Sequence, residues 1–211
     1  IIDYLSRAGV GEIGIVDYGI GNLSSITKSL LSLGFKVKLS YNHFELRESD
    51  LILLPGVGAF KPAMIAIKDK GLDEFLLEMV TIKKPIIGIC LGMQLLGRSS
   101  TENEFTEGLN LIPEDVCALP ENNCHIGWNS IKIVSKDDSI KIFDSEYYFN
   151  HSFAFPPESK YSICETNFKG INFTSVIKKE KVLGLQFHPE RSQKIGLKLL
   201  QHLVKDLCEN A

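Results

Sequence analysis

Two short apolar runs constrain the fold more than any other feature of this sequence. Residues 51–54 are wholly apolar and end at Pro55, and residues 85–90 form a second apolar run that ends at Cys90. Short, continuous apolar runs are typical of strands buried on both faces, as in a parallel sheet with helices on each side. The sequence therefore predicts an α/β fold with a mostly parallel central sheet flanked by helices.

The rest of the first half supports this prediction. Strands are predicted at residues 12–17 and 36–40, and helices at 62–70, 72–83 and 91–96. Between the first two strands, Leu23, Ile26, Leu30 and Leu31 recur at helical spacing, and Gly34 ends the pattern. Strands that alternate with helices are typical of parallel sheets.

The second half has a different pattern. Strand-like segments at 128–134, 147–153, 161–165, 172–178 and 182–187 are joined by turns, with Lys179-Glu180 as a hairpin tip. We interpret them as an antiparallel extension of the sheet. An apolar stripe within residues 195–207 predicts a last helix that packs on the sheet. No linker is visible, so we expect one domain over 12–211, with residues 1–11 as an N-terminal extension.

Composition excludes several classes of protein. The 211 residues carry 23 basic and 26 acidic side chains, a net charge of −3, which excludes a strongly basic nucleic-acid binder. No apolar run approaches the roughly 20 residues that span a bilayer. Five cysteines, an odd number without CxxC spacing, predict reduced thiols and a cytoplasmic protein. Ligand spacing for a metal is absent, and no cofactor is implied.

A glycine pair after the first strand resembles part of a nucleotide-binding fingerprint. Gly19-Ile20-Gly21 lacks the third glycine, because Ser24 stands there, and Ser40 stands where an acid would bind a ribose. The pair therefore predicts a tight strand-to-helix turn.

Cys90 is the candidate nucleophile. Gly88 and Gly92 flank it at the junction of an apolar strand and a helix, the pattern of a nucleophile elbow with Cys in place of Ser. A helix N-terminus lowers a thiol pKa, and the next backbone N–H, at Leu91, can face a developing oxyanion. The other four cysteines are interpreted as small buried hydrophobes.

A cysteine nucleophile needs a base and a group that orients the base. His188 ends a late strand, Pro189 keeps it extended, and Glu190 lies near enough to accept a hydrogen bond from the imidazole. The chain order of Cys, His and Glu differs from the nucleophile, acid, histidine order of α/β-hydrolases. An ordinary hydrolase is therefore disfavoured.

Six motifs resemble one protein family. They are DYGIGN (17–22), PGVGAF (55–60), GICLGMQ (88–94), HIGWN (125–129), YYFNHSF (147–153) and FHPERS (187–192). The elbow and FHPE resemble the class I, triad-type glutamine amidotransferases, whose fold is flavodoxin-like. The whole set resembles the glutaminase subunits of imidazole glycerol phosphate synthase and extends from residue 12 to the last helix.

The resemblance implies a reaction and the residues that perform it. Glutamine would be hydrolysed to glutamate and ammonia through a thioester on Cys90, with His188 as acid and base, held by Glu190. The oxyanion would be bound by the N–H of Leu91 and by a donor from the loop that contains Val57 and Gly58. The loop glycines would permit a peptide flip that switches this donor on; alternatively they only turn the chain.

The resemblance also implies substrate contacts. Gln94 would meet the glutamine, and His151, Ser152 and Phe153 would hold its amino-acid backbone. These residues, with the triad, argue against a cysteine hydrolase of another type and against a degenerate scaffold.

A partner is implied as well. Asn22, Trp128 and Asn129 match an interface with a (β/α)8-barrel cyclase, in a 1:1 heterodimer that makes imidazole glycerol phosphate and aminoimidazole carboxamide ribotide in histidine biosynthesis. Trp128 is alternatively a core aromatic. Cys124 replaces the family's usual Pro, so the same chemistry supplying another synthase, for example one that amidates surface sugars, stays open.

Overall fold

The computed structural model describes residues 11–120, 123–135 and 142–209. The first half alternates strands and helices: β1 (Glu12–Val16), α1 (Leu23–Ser32), β2 (Lys36–Ser40), α2 (His43–Glu48), β3 (Leu51–Gly56), α3 (Phe60–Asp69), α4 (Leu72–Thr81), β4 (Ile86–Cys90) and α5 (Leu91–Leu95). The second half has β5 (Ser99–Ser100), β6 (Thr106–Glu107), β7 (Asp115–Ala118), β8 (His125–Ser130), β9 (Lys132–Ile133), β10 (Glu146–His151), β11 (Phe153–Ala154), β12 (Ser162–Phe168), β13 (Ile171–Lys179), β14 (Val182–Leu185) and α6 (Gln193–Glu209).

The central sheet has eight strands in the order β2-β1-β3-β4-β14-β13-β12-β9. The strands from β2 to β14 pair in parallel, and those from β14 to β9 pair antiparallel. The predicted α/β fold, a mostly parallel sheet with an antiparallel extension, is therefore confirmed. Lys179 pairs with Val182 across the β13–β14 hairpin, close to its predicted tip.

Helices cover both faces of this sheet. Every residue of β3 and β4 is buried, as their apolar sequence predicts. On one face Leu30 of α1 and Leu199 of α6 belong to the same apolar cluster as Ile13 of β1. On the other, Phe60 of α3 and Leu76 of α4 belong to a second cluster. The strand ends between the helices are therefore fixed from both sides.

Helix α2 lies between β2 and β3, where the sequence analysis places no element. Asn42 caps it, because its side chain accepts hydrogen bonds from the N–H groups of Phe44 and Glu45. Within its six residues only Leu46 is buried. A helix this short shows too little apolar periodicity to be predicted.

The predicted strand over 128–134 is wrong. It divides into β8, which pairs with β10 in a separate two-stranded ribbon, and β9, which pairs with β12 in the large sheet. The predicted strand over 147–153 divides too, since β10 ends at His151 and β11 begins at Phe153. Between them the Ser152 carbonyl accepts the Leu119 N–H at 2.8 Å. The small sheet β11-β7-β5-β6 was not predicted, apart from residue 153.

The predicted domain boundary and the absence of a membrane-spanning segment are the last two expectations to compare with the structure. The division at residues 11 and 12 stays a prediction, since residues 1–10 lie outside the described part. Among the described helices, none has the length and apolar content needed to cross a membrane.

Candidate active site

Cys90 lies at the turn between β4 and α5, with φ 54° and ψ −112°. A positive φ is unfavourable for a residue with a side chain and is often found at functional sites. The turn lies at the carboxyl end of the parallel strands, the edge at which open α/β sheets bind ligands. The backbone therefore presents the Cys90 side chain at the position expected for a nucleophile.

Glycines on both sides of Cys90 make this turn possible. A Cβ on Gly88 would lie 2.6 Å from the carbonyl oxygen of Gly92, and a Cβ on Gly92 would lie 1.8 Å from the carbonyl oxygen of Leu54. The same close packing reaches Gly56, where a Cβ would lie 2.8 Å from the Gly92 nitrogen. Helix α5 thus sits directly on β3, at a distance that only glycine allows.

His188 and Glu190 lie beside Cys90. His188 Nδ1 is 2.8 Å from Glu190 Oε1, and both side chains are buried. Burial acts to lower the pKa of His188, but hydrogen bonds to Cys90 and Glu190, and the negative charge on each, outweigh it and raise this pKa to about 10. His188 is therefore protonated at neutral pH, so it can give a proton to a leaving group.

Two further groups contact the Cys90 sulfur. Its thiol lies 3.7 Å from the Asn150 carbonyl oxygen, and the Gln186 amide nitrogen lies 3.9 Å from Sγ. Gln186 is fully buried, and its Oε1 accepts a hydrogen bond from Gln94 Nε2 at 3.3 Å. Sulfur is thus held between a backbone acceptor and a side-chain amide.

A cavity of about 240 Å³ opens above Cys90. It is smaller than the roughly 300–1,000 Å³ of pockets for drug-sized ligands, so it suits a small substrate. The predicted site residues on its wall are Val57, Gly58, Cys90, Leu91, Gln94, His151, Ser152, Phe153 and His188. Glu102, Cys124 and Asn150 complete the wall.

The substrate side of the cavity is held together at one carbonyl. The Phe153 carbonyl accepts hydrogen bonds from Gln94 Nε2 at 2.7 Å and from His151 Nδ1 at 2.9 Å. The other ring nitrogen of His151 lies 3.2 Å from His125 Nδ1. Both nitrogens of His151 are thus used within the protein, and His151 contributes a wall of the cavity without a free hydrogen-bonding group.

The chain is fixed at the end of β3, just before the loop that follows this strand. The Tyr18 hydroxyl donates to the Pro55 carbonyl at 2.8 Å, and burial, together with Cys90, raises the pKa of Tyr18. Further along the loop, the Val57 side chain is 40% exposed and Gly58 has φ +104°. The chain is thus anchored at Pro55 within β3, whereas the residues predicted to bind the oxyanion have an exposed side chain, at Val57, and a positive φ, at Gly58.

The predicted partner residues lie apart from the main cavity. Asn22 borders a second, much smaller cavity, which His188 and Glu190 also line. Trp128 is 44% exposed on β8, so it is not a core aromatic. Asn129 is half-buried, and its amide donates to the Asn167 carbonyl at 2.9 Å and to His125 at 3.3 Å.

Sequence reasoning missed several residues of this site, among them Asn150 and Cys124 on the cavity wall; Cys124, interpreted as a buried hydrophobe, is exposed. Gln186 precedes His188 by two at the end of the strand predicted over 182–187, so strand alternation would have placed both on one face, and this signal was present. Tyr18 and His125 stand inside recognised motifs, but no role was assigned to them. Glu102 lies between β5 and β6, two strands that were not predicted, and no sequence pattern marked it.

The fold and site together define a class of protein. A cysteine on a strand-to-helix elbow, faced by a histidine that a glutamate holds, is the constellation of a thiol enzyme that cleaves acyl bonds. Here it stands at the carboxyl edge of a parallel sheet and opens into a small polar cavity. These are features of a triad-type amidotransferase.

Comparison with known proteins identifies the family. The family described as "Glutamine amidotransferase class-I" matches residues 14–206. "Imidazole glycerol phosphate synthase subunit HisH" of Listeria innocua is 42% identical over 204 residues, 93% of this chain and 98% of that protein. The subunit of the same name from Carboxydothermus hydrogenoformans is 39% identical over 195 residues, 90% and 96% of the two chains. The chain therefore belongs to the class-I glutamine amidotransferases, enzymes that hydrolyse glutamine, and within them to the HisH subunits.

Solved structures share the fold. "PurLQS from Thermotoga maritima" superposes with a TM-score of 0.72 at 18% identity, over 94% of this chain and 99% of that chain. A glutamine amidotransferase from Thermotoga maritima superposes with a TM-score of 0.70 at 17% identity, over 95% and 99%. At these identities the likeness concerns the fold alone.

Proposed function

We propose that this chain is the glutaminase subunit of an imidazole glycerol phosphate synthase. It hydrolyses L-glutamine and passes ammonia to a (β/α)8-barrel cyclase subunit in a cytoplasmic 1:1 heterodimer. The observation that carries the proposal is the Cys90, His188 and Glu190 set, in a chain that spans 98% of a HisH subunit.

The first half of the reaction forms a thioester. With the proton held on His188, the Cys90 sulfur attacks the side-chain amide carbon of glutamine. The tetrahedral intermediate collapses as His188 protonates the departing nitrogen, which leaves as ammonia. The raised pKa of His188 suits this step, because the proton is already held at the position where the leaving group needs it.

The second half releases glutamate. In the thioester the Cys90 sulfur carries no negative charge, so one of the interactions that raise the pKa of His188 is lost. His188 then acts as a base and removes a proton from water, which attacks the thioester carbon. Collapse of this intermediate expels the sulfur and frees glutamate, and the proton taken from water stays on His188, as at the start of the cycle. Glu190 keeps the imidazole oriented through both halves.

The oxyanion is held by the N–H of Leu91 and by a donor from the Val57–Gly58 peptide. Tyr18 fixes the Pro55 carbonyl, so a flip is confined to the part of the loop beyond it. Gly58, at φ +104°, tolerates the change in backbone conformation. Loss of one such donor costs about 3 kcal/mol of activation free energy, a factor of 10² or more.

The amino-acid end of glutamine binds at the opposite wall. Among the described residues that line the cavity, Glu102 is the only carboxylate, and it suits the substrate's α-ammonium group. The Phe60 N–H donates to Glu102 Oε2 at 2.7 Å and fixes its orientation. The backbone of residues 151–153 holds the remaining groups of this end, and Gln94 contacts the rest of the substrate.

The cyclase docks near Asn22 and on the outer face of β8. Ile126 is 62% exposed and Trp128 44% exposed on that face, an unusual exposure for large apolar side chains on one strand. Trp128 is the only tryptophan of the chain, so its fluorescence reports on this face.

One experiment tests both parts of the proposal. The protein is mixed with the cyclase subunit from its own organism, the ammonia-accepting substrate of that subunit and saturating glutamine, and glutamate and imidazole glycerol phosphate are measured. We expect both products, no product with Cys90→Ala, and a blue shift of Trp128 emission on mixing. Absence of glutamate release would refute the enzyme assignment. Glutamate without transfer of ammonia to the cyclase would instead favour another synthase, and an unshifted emission would place the interface elsewhere.

A further inference from the structure

His125 is buried behind the substrate cavity and is not among the residues that line it. Its ring stacks between Phe149 and Phe168, with centroids at 4.6 and 4.2 Å. Directly opposite in the β8–β10 ribbon is His151, which does line the cavity. A polar ring in such an apolar place requires hydrogen bonds on both nitrogens.

Which atom donates in each of these hydrogen bonds follows from the groups at the two ends of the hydrogen-bonded chain, Asn129 and the Phe153 carbonyl. At one end the Asn129 Oδ1 accepts the Ser130 N–H at 2.8 Å, so the amide nitrogen of Asn129 is the group that faces His125 Nε2 at 3.3 Å. An amide nitrogen only donates, so Nε2 of His125 carries no proton. The proton of His125 is therefore on Nδ1.

The other end gives the same direction. The Phe153 carbonyl only accepts, so His151 carries its proton on Nδ1 and presents a bare Nε2. That nitrogen lies 3.2 Å from His125 Nδ1 and accepts its proton. One consistent chain of donors thus runs from Asn129 through His125 and His151 to the Phe153 carbonyl. Burial lowers the pKa of His125 to about 4 and that of His151 to about 3, so both rings are neutral at working pH.

We propose that His125 is a positioning residue for the glutamine site: by donating from Nδ1 it fixes the tautomer of His151 and holds residues 151–153, the wall that receives the amino-acid end of glutamine. This inference rests on the proposed function. If His125 lost its Nδ1 proton, His151 Nε2 would be left buried without a donor. A change of the His151 tautomer would also remove its hydrogen bond to the Phe153 carbonyl, which would then keep, among the described residues, the side-chain hydrogen bond from Gln94 Nε2.

The first test separates substrate binding from chemistry. His125→Phe keeps the aromatic stack and removes both hydrogen bonds. In the complex with the cyclase subunit we expect the KM for glutamine to rise about tenfold, which corresponds to about 1.4 kcal/mol, with kcat within threefold of wild type. The control is His202→Phe, since His202 lies on α6 and its buried Nε2 has no hydrogen-bond partner among the described residues. Its KM should be unchanged. An unchanged KM in His125→Phe, or a loss of kcat at constant KM, would overturn the proposal.

The second test needs neither glutamine nor activity. In the ¹⁵N-labelled protein, long-range proton–nitrogen spectra distinguish the protonated ring nitrogen from the bare one, and His125→Phe assigns the signals. We expect His125 and His151 both to carry their proton on Nδ1. Asn129→Asp replaces the donor by an acceptor, so it should move the His125 proton to Nε2 or charge the ring. A wild-type proton on Nε2 of either ring would refute the relay, whereas absence of glutamine hydrolysis with the expected tautomers would count against the proposed function alone.

Discussion

The close contact between α5 and β3 makes Gly92→Ala a severe test of the elbow. A Cβ at residue 92 would lie 1.8 Å from the Leu54 carbonyl oxygen, and side-chain Cβ atoms essentially never approach within 3.0 Å. The difference, 3.0 − 1.8 = 1.2 Å, is the least displacement that relieves the clash. Both partners belong to the backbone of buried elements, so no side chain can turn aside.

This displacement acts on stability and on catalysis. Overpacking of a core costs about 1–3 kcal/mol, and a clash between two backbones belongs at the upper end, so we expect the free energy of unfolding to fall by about 3 kcal/mol. The displaced segment includes the N–H of Leu91 and the sulfur of Cys90. A misplacement of about 1 Å lowers catalysis on the order of 10²-fold, so kcat/KM should fall by at least that factor.

The measurements are urea unfolding and glutamate release per titrated Cys90 thiol, in the presence of the cyclase subunit. Gly170→Ala is the matched control, because Gly170 has φ +82° in the β12–β13 turn and open space around its Cβ position. It should cost about 1 kcal/mol through its left-handed backbone and leave activity unchanged. If Gly92→Ala lost less than 1 kcal/mol and kept activity within threefold, the argument that the elbow depends on this contact would be wrong.

Three further predictions concern titratable groups. Glu190→Gln keeps the shape of the side chain at residue 190 but removes its negative charge. The pKa of His188 should therefore fall towards its ordinary value, and kcat should drop roughly 10²–10⁴-fold. A pH–rate profile measures both changes, and an unchanged profile would contradict the triad. Glu102→Gln removes one charged hydrogen bond to the substrate. The KM for glutamine should therefore rise roughly tenfold to a hundredfold at near-constant kcat. A change in kcat alone would exclude the proposed contact. Burial lowers the pKa of His125 to about 4 and that of His151 to about 3, whereas both pKa values are near 6.5 in the unfolded chain. Unfolding therefore takes up protons, and the free energy of unfolding should fall as the pH drops below about 6.5. Urea unfolding at several pH values checks this, and His125→Phe should flatten the slope; an equal slope would place the titrating groups elsewhere.

The large sheet was predictable because its signals are local. A few neighbouring residues are enough to recognise the apolar runs of β3 and β4, and the same is true of the glycines around Cys90. The pairing of strands in the second half could not be predicted, because β8 and β9 follow one another in sequence yet pair in different sheets. Strand pairing depends on partners far along the chain, which periodicity does not report.

The site divides in the same way. Cys90 ends β4 and His188 follows the end of β14 by three residues, so a motif and a strand end were enough to nominate them as catalytic residues. The proposed roles of Glu102 and His125 depend on contacts between segments that are distant in sequence, the first with Phe60 and the second with His151. No pattern within either segment encodes such a contact, and only the folded chain shows it.

The parts of the site differ in how firmly the fold holds them, and this difference bears on the proposed activation by a partner. The triad is held by a sheet with helices on both faces, and the Pro55 carbonyl is held by Tyr18 at 2.8 Å, so neither is suited to large rearrangement. The wall of residues 151–153 is held by the histidine relay and by Gln94. What remains adjustable is the Val57–Gly58 peptide, with an exposed side chain and a glycine at positive φ. On the proposed mechanism, a partner that contacts Val57 would need to reorient a single peptide to complete the oxyanion site, and a change of about 3 kcal/mol from one donor would be sufficient to separate an idle enzyme from an active one.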